Sequence, residues 1–324
     1  MIVAVLLGTA PPALAAPSRG PAPISELVID AQTGRALYAA NASIRRPPAS
    51  LAKVMTLLLV FDALDMGQLK PGDRIVMTPA GARQPPSRLG LGIGRGMSVA
   101  AAMKAIAVIS ANDIAVAFAD RIGGSEARFV TRMNARAAEI GMTNTRFGNA
   151  TGLAPSGGVT TATDMAVLAR YLIRHHPDRY RLFATRQIRW QGQSRPNHNK
   201  LLGKVKGLDG LKTGYTVPAG FNLAASARRG GKRMVVVVMG AQSAAARDLL
   251  VANLMESGFS SPQGSRPRAV VTHSARREGG AVPTRQDRMR KQLDRPRAAP
   301  QRDGRKKTSA SRPAKPAKRA HERK

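Results

Sequence analysis

The chain has 324 residues, enough for one large domain or two small ones. It contains no Cys, which excludes disulfide frameworks, Cys-ligated zinc, iron–sulfur clusters and thiol nucleophiles. Its formal net charge of +33 points to an anionic partner, such as nucleic acid, an envelope polymer or a membrane surface, unless the charge is local.

The first residues are apolar from Ile2 to Leu7, and Ala13, Leu14 and Ala15 follow as an A-x-A cleavage pattern. Residues 1–16 therefore read as a signal-like leader of an exported protein, although no Lys or Arg precedes the apolar run. The run is too short to span a bilayer, and no later segment is long and apolar enough to do so. Residues 26–30 and 36–40 read as strands joined by a turn at Thr33 and Gly34. Residues 50–64 carry apolar side chains on most faces and predict a buried helix. Residues 99–122 predict a long helix interrupted near Ser110 and Asn112. An amphipathic helix is expected over 125–140, closed by Gly141, and another over 163–175 with Thr163 as N-cap. Residues 221–226 and 233–239 read as strands around an Arg229-Gly-Gly231 turn, and 248–255 as a closing helix. Strands, then helices, then strands and a last helix favour an α+β fold with a mostly antiparallel sheet and a helical subdomain.

The globular body thus spans about residues 23–258, and the last part of the chain differs from it. Residues 261–324 hold 20 Lys+Arg, 5 Asp+Glu and seven Pro, with few large apolar residues. Such a segment cannot offset its ordering entropy by burial, so it reads as a disordered basic tail. It lacks interleaved aromatics, so specific nucleic-acid binding is not expected, only phosphate contact. A tether to anionic envelope polymer or membrane surface is the sharper reading; a solvated extension is the plainer one.

Three short motifs stand in order: Ser50-x-x-Lys53, Ser110-x-Asn112 and Lys212-Thr213-Gly214. Each alone is weak, since Ser-x-x-Lys occurs on many helix surfaces. On a helix, positions three apart share a face, so Ser50 and Lys53 can meet. A serine hydroxyl becomes a nucleophile when a neighbouring base takes its proton. A lysine can be that base once burial or a second cation lowers its pKa; Lys212 is the candidate cation. His175-His176 lacks the spacing of a helical metal site and reads as surface loop, and Gly90 to Gly94 reads as turns without a nucleotide-binding spacing. No metal and no cofactor are expected.

Taken together, residues 48–56, 110–113, 141–147, 197–202, 209–216 and the Ala219-Gly220 pair resemble the penicillin-binding D-alanyl-D-alanine carboxypeptidases. The resemblance covers roughly residues 23–258. It implies the fold of the penicillin-recognising serine enzymes and hydrolysis of the terminal D-Ala from peptidoglycan stem peptides. Ala111 stands in the middle motif where class A β-lactamases carry Asp. The resemblance implies that Ser50 attacks and Lys53 acts as general base. Ser110 would relay a proton to the leaving amine, and Asn112 would bind the substrate backbone. Lys212 and Thr213 would recognise the terminal carboxylate, and Gly214 would keep an edge strand open beside the substrate. Backbone N–H groups of Ser50 and Tyr215 would form the oxyanion hole. His198 occupies a position where relatives often have Arg, so it would be a weaker carboxylate contact. β-Lactams would acylate Ser50. A DD-endopeptidase and a non-catalytic envelope-binding protein are the rival readings.

Overall fold

A computed structural model describes residues 23–260. The leader-like segment 1–16 and the basic extension 261–324 lie outside the described residues.

Strand β1 (Ser25–Asp30) turns into β2 (Ala36–Ala40). The Asp30 carboxylate accepts from the Gln32 and Thr33 N–H groups at 2.9 Å each, and Gly34 takes φ +80. A 3-10 turn at Ala49–Leu51 leads into α1 (Ala52–Asp65). Short β3 (Arg74–Val76), α2 (Pro79–Ala82) and β4 (Gly96–Ser98) precede α3 (Val99–Ile109). Then come α4 (Asn112–Gly123), α5 (Glu126–Glu139), α6 (Ala162–His175) and α7 (Pro177–Tyr180). The ribbon β5 (Gln187–Trp190) and β6 (Gln193–Pro196) leads to three long strands and a last helix. These are β7 (Leu208–Thr216), β8 (Gly220–Arg229), β9 (Lys232–Ala241) and α8 (Ala244–Ser260).

The main sheet is antiparallel with order β2-β1-β9-β8-β7, so the first strands pair with the last. It is buried on both faces. Val235, Val237 and Met239 point into the helical core with Leu27 and Ile29, whereas Val236 and Val238 meet Leu250, Val251 and Leu254 of α8. That explains the unbroken apolar run of β9, which a strand with one wet face would not carry. Helix α1 runs through the helical core, with Leu57, Leu58, Val60 and Phe61 fully buried. The fold is the α+β arrangement expected from the sequence.

Local caps refine the expected boundaries. Ser125 caps α5 by accepting from the Arg128 N–H, and Gly141 takes φ +89 just past its end. For α6 the cap is Thr161, not Thr163: the Thr161 hydroxyl accepts from the Asp164 N–H at 3.0 Å. The Thr163 hydroxyl donates instead to the Ala42 carbonyl, tying α6 to the segment after β2. The interruption expected near Ser110 and Asn112 within 99–122 separates α3 from α4, where Ser110 adopts a left-handed φ of +61.

His176 is a correction. It is buried, not on a surface loop, and lies against two carboxylates of α1. Its Nδ1 is 3.2 Å from Asp65 and its Nε2 3.5 Å from Asp62. Arg136 forks onto Asp62 at 2.9 and 3.2 Å, and Arg179 pairs with Asp65 at 2.6 Å. Burial alone would raise the pKa of Asp62, but the nearby His176 and the hydrogen bonds from Arg136 hold it below the usual carboxylate range. Among the described residues no group of His, Asp and Glu could hold a metal ion, and no helix is long and apolar enough to cross a membrane.

Candidate active site

The approach to α1 is constrained from three sides. The buried Asn222 side chain donates to the Pro47 and Pro48 carbonyls at 3.4 and 3.3 Å. Ala49 then takes φ +46, uncommon for a residue with a side chain. Gly152 lies directly beneath it at φ +76, and a Cβ there would collide with the Ala49 carbonyl oxygen. The 3-10 turn that follows sets Ser50 just ahead of α1, while Lys53 occupies the helix's first turn. Ser50 was expected on the helix itself; the tighter turn still brings the two together. Lys53 Nζ donates to Ser50 Oγ at 2.9 Å and to the Thr151 carbonyl at 2.8 Å.

Lys53 is fully buried, and among the described residues it forms no ion pair. Burial disfavours its charged form, and the neighbouring Lys212 adds repulsion that Asp113 only partly offsets. Its pKa is therefore held well below the ordinary lysine value. The Thr151 carbonyl is itself positioned. Asn149 Oδ1 accepts from the Thr151 and Gly152 N–H groups, and the Thr56 hydroxyl donates to the Ala150 carbonyl at 2.7 Å.

Ser110 ends α3 in its left-handed conformation, which throws its side chain toward the same space. Its Oγ is buried and has no hydrogen-bond partner among the described residues. Asn112 opens α4; its amide N donates to the Pro85 carbonyl at 2.8 Å, and its Oδ1 is buried and unpartnered among the described residues. Buried polar atoms are seldom left unpaired, so both mark places that a bound molecule would satisfy. Asp113, beside them, spends both oxygens on the Leu89 and Gly90 N–H groups, which hold the 85–90 loop against α4.

On the other side stands β7, the edge strand of the sheet. A Cβ on Gly214 would lie 3.1 Å from Ser50 N and 3.2 Å from Leu51 N. Gly214 thus lets β7 close onto the backbone of Ser50 and Leu51. Lys212 is buried, and its Nζ donates to the Thr213 carbonyl at 2.9 Å. Burial and the charge of Arg247 push its pKa down to about 7. Thr213 is buried at the pocket wall, while Tyr215 is half exposed and stacks on Phe221 at 4.2 Å between ring centroids.

These elements enclose a pocket of about 330 Å³ lined by Ser50, Ser110, Asn112, His198, Thr213, Gly214 and Tyr215. Lys53, bonded to Ser50, and Lys212, next to Thr213, are buried beside it. His198 hangs from the Val108 carbonyl through its backbone N–H at 3.1 Å, and Asn197 and Asn199 shape its turn. Partial desolvation, together with Lys212, Arg195, Lys53 and Arg247, lowers its pKa to about 4. Its ring is therefore neutral near pH 7. The pocket cation is Arg247 of α8, which the sequence reading missed. Arg247 is buried, donates to Asp248 Oδ1 at 2.9 Å and to the Asn222 carbonyl at 3.2 Å.

The arrangement combines a hydroxyl against a buried amine, two unpaired polar atoms and cations behind the wall. It can remove a proton from Ser50 and attract an anionic group beside it. Comparison with known proteins agrees in kind. The family model described as D-alanyl-D-alanine carboxypeptidase matches residues 17–243. D-alanyl-D-alanine carboxypeptidase DacF of Bacillus subtilis is 37% identical over 244 residues, covering 73% of this chain and 62% of the relative. The crystal structure of penicillin binding protein 6B from Escherichia coli superposes with a TM-score of 0.69 at 37% identity, covering 73% of this chain and 76% of that one. Penicillin-Binding Protein D2 from Listeria monocytogenes, in its ampicillin-bound form, gives 0.67 at 35% identity, covering 72% of this chain and 96% of that one. The chain spans less than two thirds of the length of the first curated relatives it matches.

Proposed function

The chain belongs to the D-alanyl-D-alanine carboxypeptidase family, and on that premise we propose that it removes the terminal D-Ala from peptidoglycan stem peptides through an acyl-enzyme on Ser50. One observation carries the reading: Ser50 Oγ lies 2.9 Å from a lysine that is fully buried and has only neutral oxygen partners among the described residues. Lys53 takes the Ser50 proton as Oγ attacks the carbonyl between the two D-Ala residues. The oxyanion lies between the backbone N–H groups of Ser50 and Tyr215, a reading supported by the close approach of Gly214 to Ser50 N. Losing one such donor costs about 3–4 kcal/mol in comparable enzymes. Ser110 passes the proton to the leaving amine, and the free Oδ1 of Asn112 accepts from a substrate amide. The terminal carboxylate meets the Thr213 hydroxyl and the field of Lys212 and Arg247, while neutral His198 offers a hydrogen bond. Water then hydrolyses the ester. No cofactor enters this chemistry.

β-Lactams acylate Ser50 in this reading, which the ampicillin-bound relative supports. The signal-like segment 1–16 supports action outside the cytoplasm. The extension 261–324, with 20 Lys+Arg against 5 Asp+Glu, tethers the enzyme to anionic envelope polymer or membrane surface. Labelling with a fluorescent penicillin tests the core of the proposal. The wild type labels once and Ser50→Ala does not; equal labelling of the two, or none of the wild type, defeats it. D-Ala release from a pentapeptide without cleavage of crosslinked dimers separates carboxypeptidase from endopeptidase.

A further inference from the structure

The catalytic lysines explain little of the body's positive charge, and the remainder is not evenly spread. Two stretches contain no Asp or Glu: residues 74–112, with five Lys or Arg, and residues 179–208, with eight. Among the described residues, only Arg179 and Arg181 of these thirteen form an ion pair. The fold brings the two stretches together on one side of the pocket. Pro86, Ser87 and His198 line that wall, and the His198 N–H is bound to the Val108 carbonyl. Arg88 follows Ser87 directly, and Arg195 donates to the Arg88 carbonyl at 3.1 Å. Lys200 stands two residues beyond His198. Arg88 and Lys200 are exposed and Arg195 is half-buried. Asp113, which follows the first stretch, is buried and turned inward onto the 89–90 backbone.

Like charges held together without acids repel, at a cost that falls when an anion settles among them. Arg88 and Lys200 sit one and two residues from the pocket-lining Ser87 and His198, Arg88 donates to the Ala82 carbonyl, and Arg195 is tied to the Arg88 backbone, so their fields add beside the pocket. We propose that this acid-free wall is a subsite for the further carboxylates of an acidic substrate peptide, beyond the terminal one. It makes the enzyme selective for acidic stem peptides over their carboxamide counterparts. This rests on the peptidase reading above and specifies its substrate class.

The test uses two matched peptides ending in D-Ala-D-Ala, one bearing free side-chain carboxylates and one bearing carboxamides. D-Ala release is measured at low and high salt for the wild type and for Arg88→Gln/Arg195→Gln/Lys200→Gln. The wild type prefers the acidic peptide by about three- to tenfold in kcat/KM, chiefly through KM, and high salt shrinks the preference. The triple variant loses the preference through KM while kcat is kept. A wild type indifferent to amidation, or a variant that keeps the preference, overturns the proposal. So does charge-dependent binding to phosphatidylglycerol vesicles without peptide preference, which reassigns the wall to a lipid surface. End-point penicillin labelling separates the failures. A variant that labels fully is folded, whereas a wild type that never labels sinks the peptidase reading itself.

Discussion

Helix α1 bears charge near both ends, and the two ends treat it in opposite ways. At its start, Lys53 is sealed from water with a hydroxyl and a carbonyl as partners, and among the described residues Lys212 nearby has only a carbonyl. At its end, Asp62 and Asp65 meet Arg136, Arg179 and His176. Both placements run against the helix dipole, which disfavours cations at the N-terminus and anions at the C-terminus. The end with partners keeps its charge: the pKa of Asp62 moves down, toward the ionised form. The end without them sheds it: both lysines move toward the neutral amine. Paired charge holds helices together, whereas unpaired buried charge is chemistry held in reserve.

The contrast can be broken most sharply at Lys53. Lys53→Gln should slow penicillin acylation by about 10²–10⁴-fold, as expected for losing a general base, with no loss of thermal stability. Asp62→Asn should leave the acylation rate within about twofold. Stopped-flow acylation of both variants decides, and comparable slowing would erase the distinction.

Next in size is the pH response of stability. Unfolded, Lys212 keeps its proton up to the ordinary value of 10.5; folded, it releases it near 7. Between these values the unfolded chain binds more protons, so wild-type stability rises with pH. Lys212→Met lacks this term. Its stability advantage over wild type should therefore narrow from pH 7 to 10.5, by up to about 5 kcal/mol. Urea titrations across that range test the sign; a gap that widens contradicts it.

Gly152→Ala should cost about 1–3 kcal/mol, because its φ is left-handed and its Cβ meets the Ala49 carbonyl. The variant's penicillin titre should fall along with its denaturation midpoint. The smallest expected effect is the stability cost of Asp62→Asn, about 1–2 kcal/mol since the pair keeps some contact with water. That contribution is present above the unfolded carboxylate pKa and fades as pH falls through the depressed folded value, so the cost should vanish in acid.

Much of the site was readable because it uses side chains at local spacings. Ser50 and Lys53 are three apart, and Ser110 and Asn112 flank a helix break. Thr151 was invisible for the opposite reason: it acts through its carbonyl, which every residue type supplies. Arg247 lies far along the chain from Ser50, on a helix whose approach to the pocket depends on the sheet. β7 escaped periodicity because both its faces are covered, so no alternation survives. His176 was misread because only a metal was sought for it; its carboxylates come from α1, more than a hundred residues earlier.

The sheet order also dictates when Ser50 gains its neighbours. β1 lies against β9, with Ser25 opposite Met239, so the strand made first waits for one made more than two hundred residues later. Until then the β1–β2 hairpin has no third strand, and such ribbons barely persist in water. Pairings this remote in sequence form slowly. Ser50 is translated early, yet Lys212 and Gly214 are still to come, so a truncated product should be inert toward penicillin.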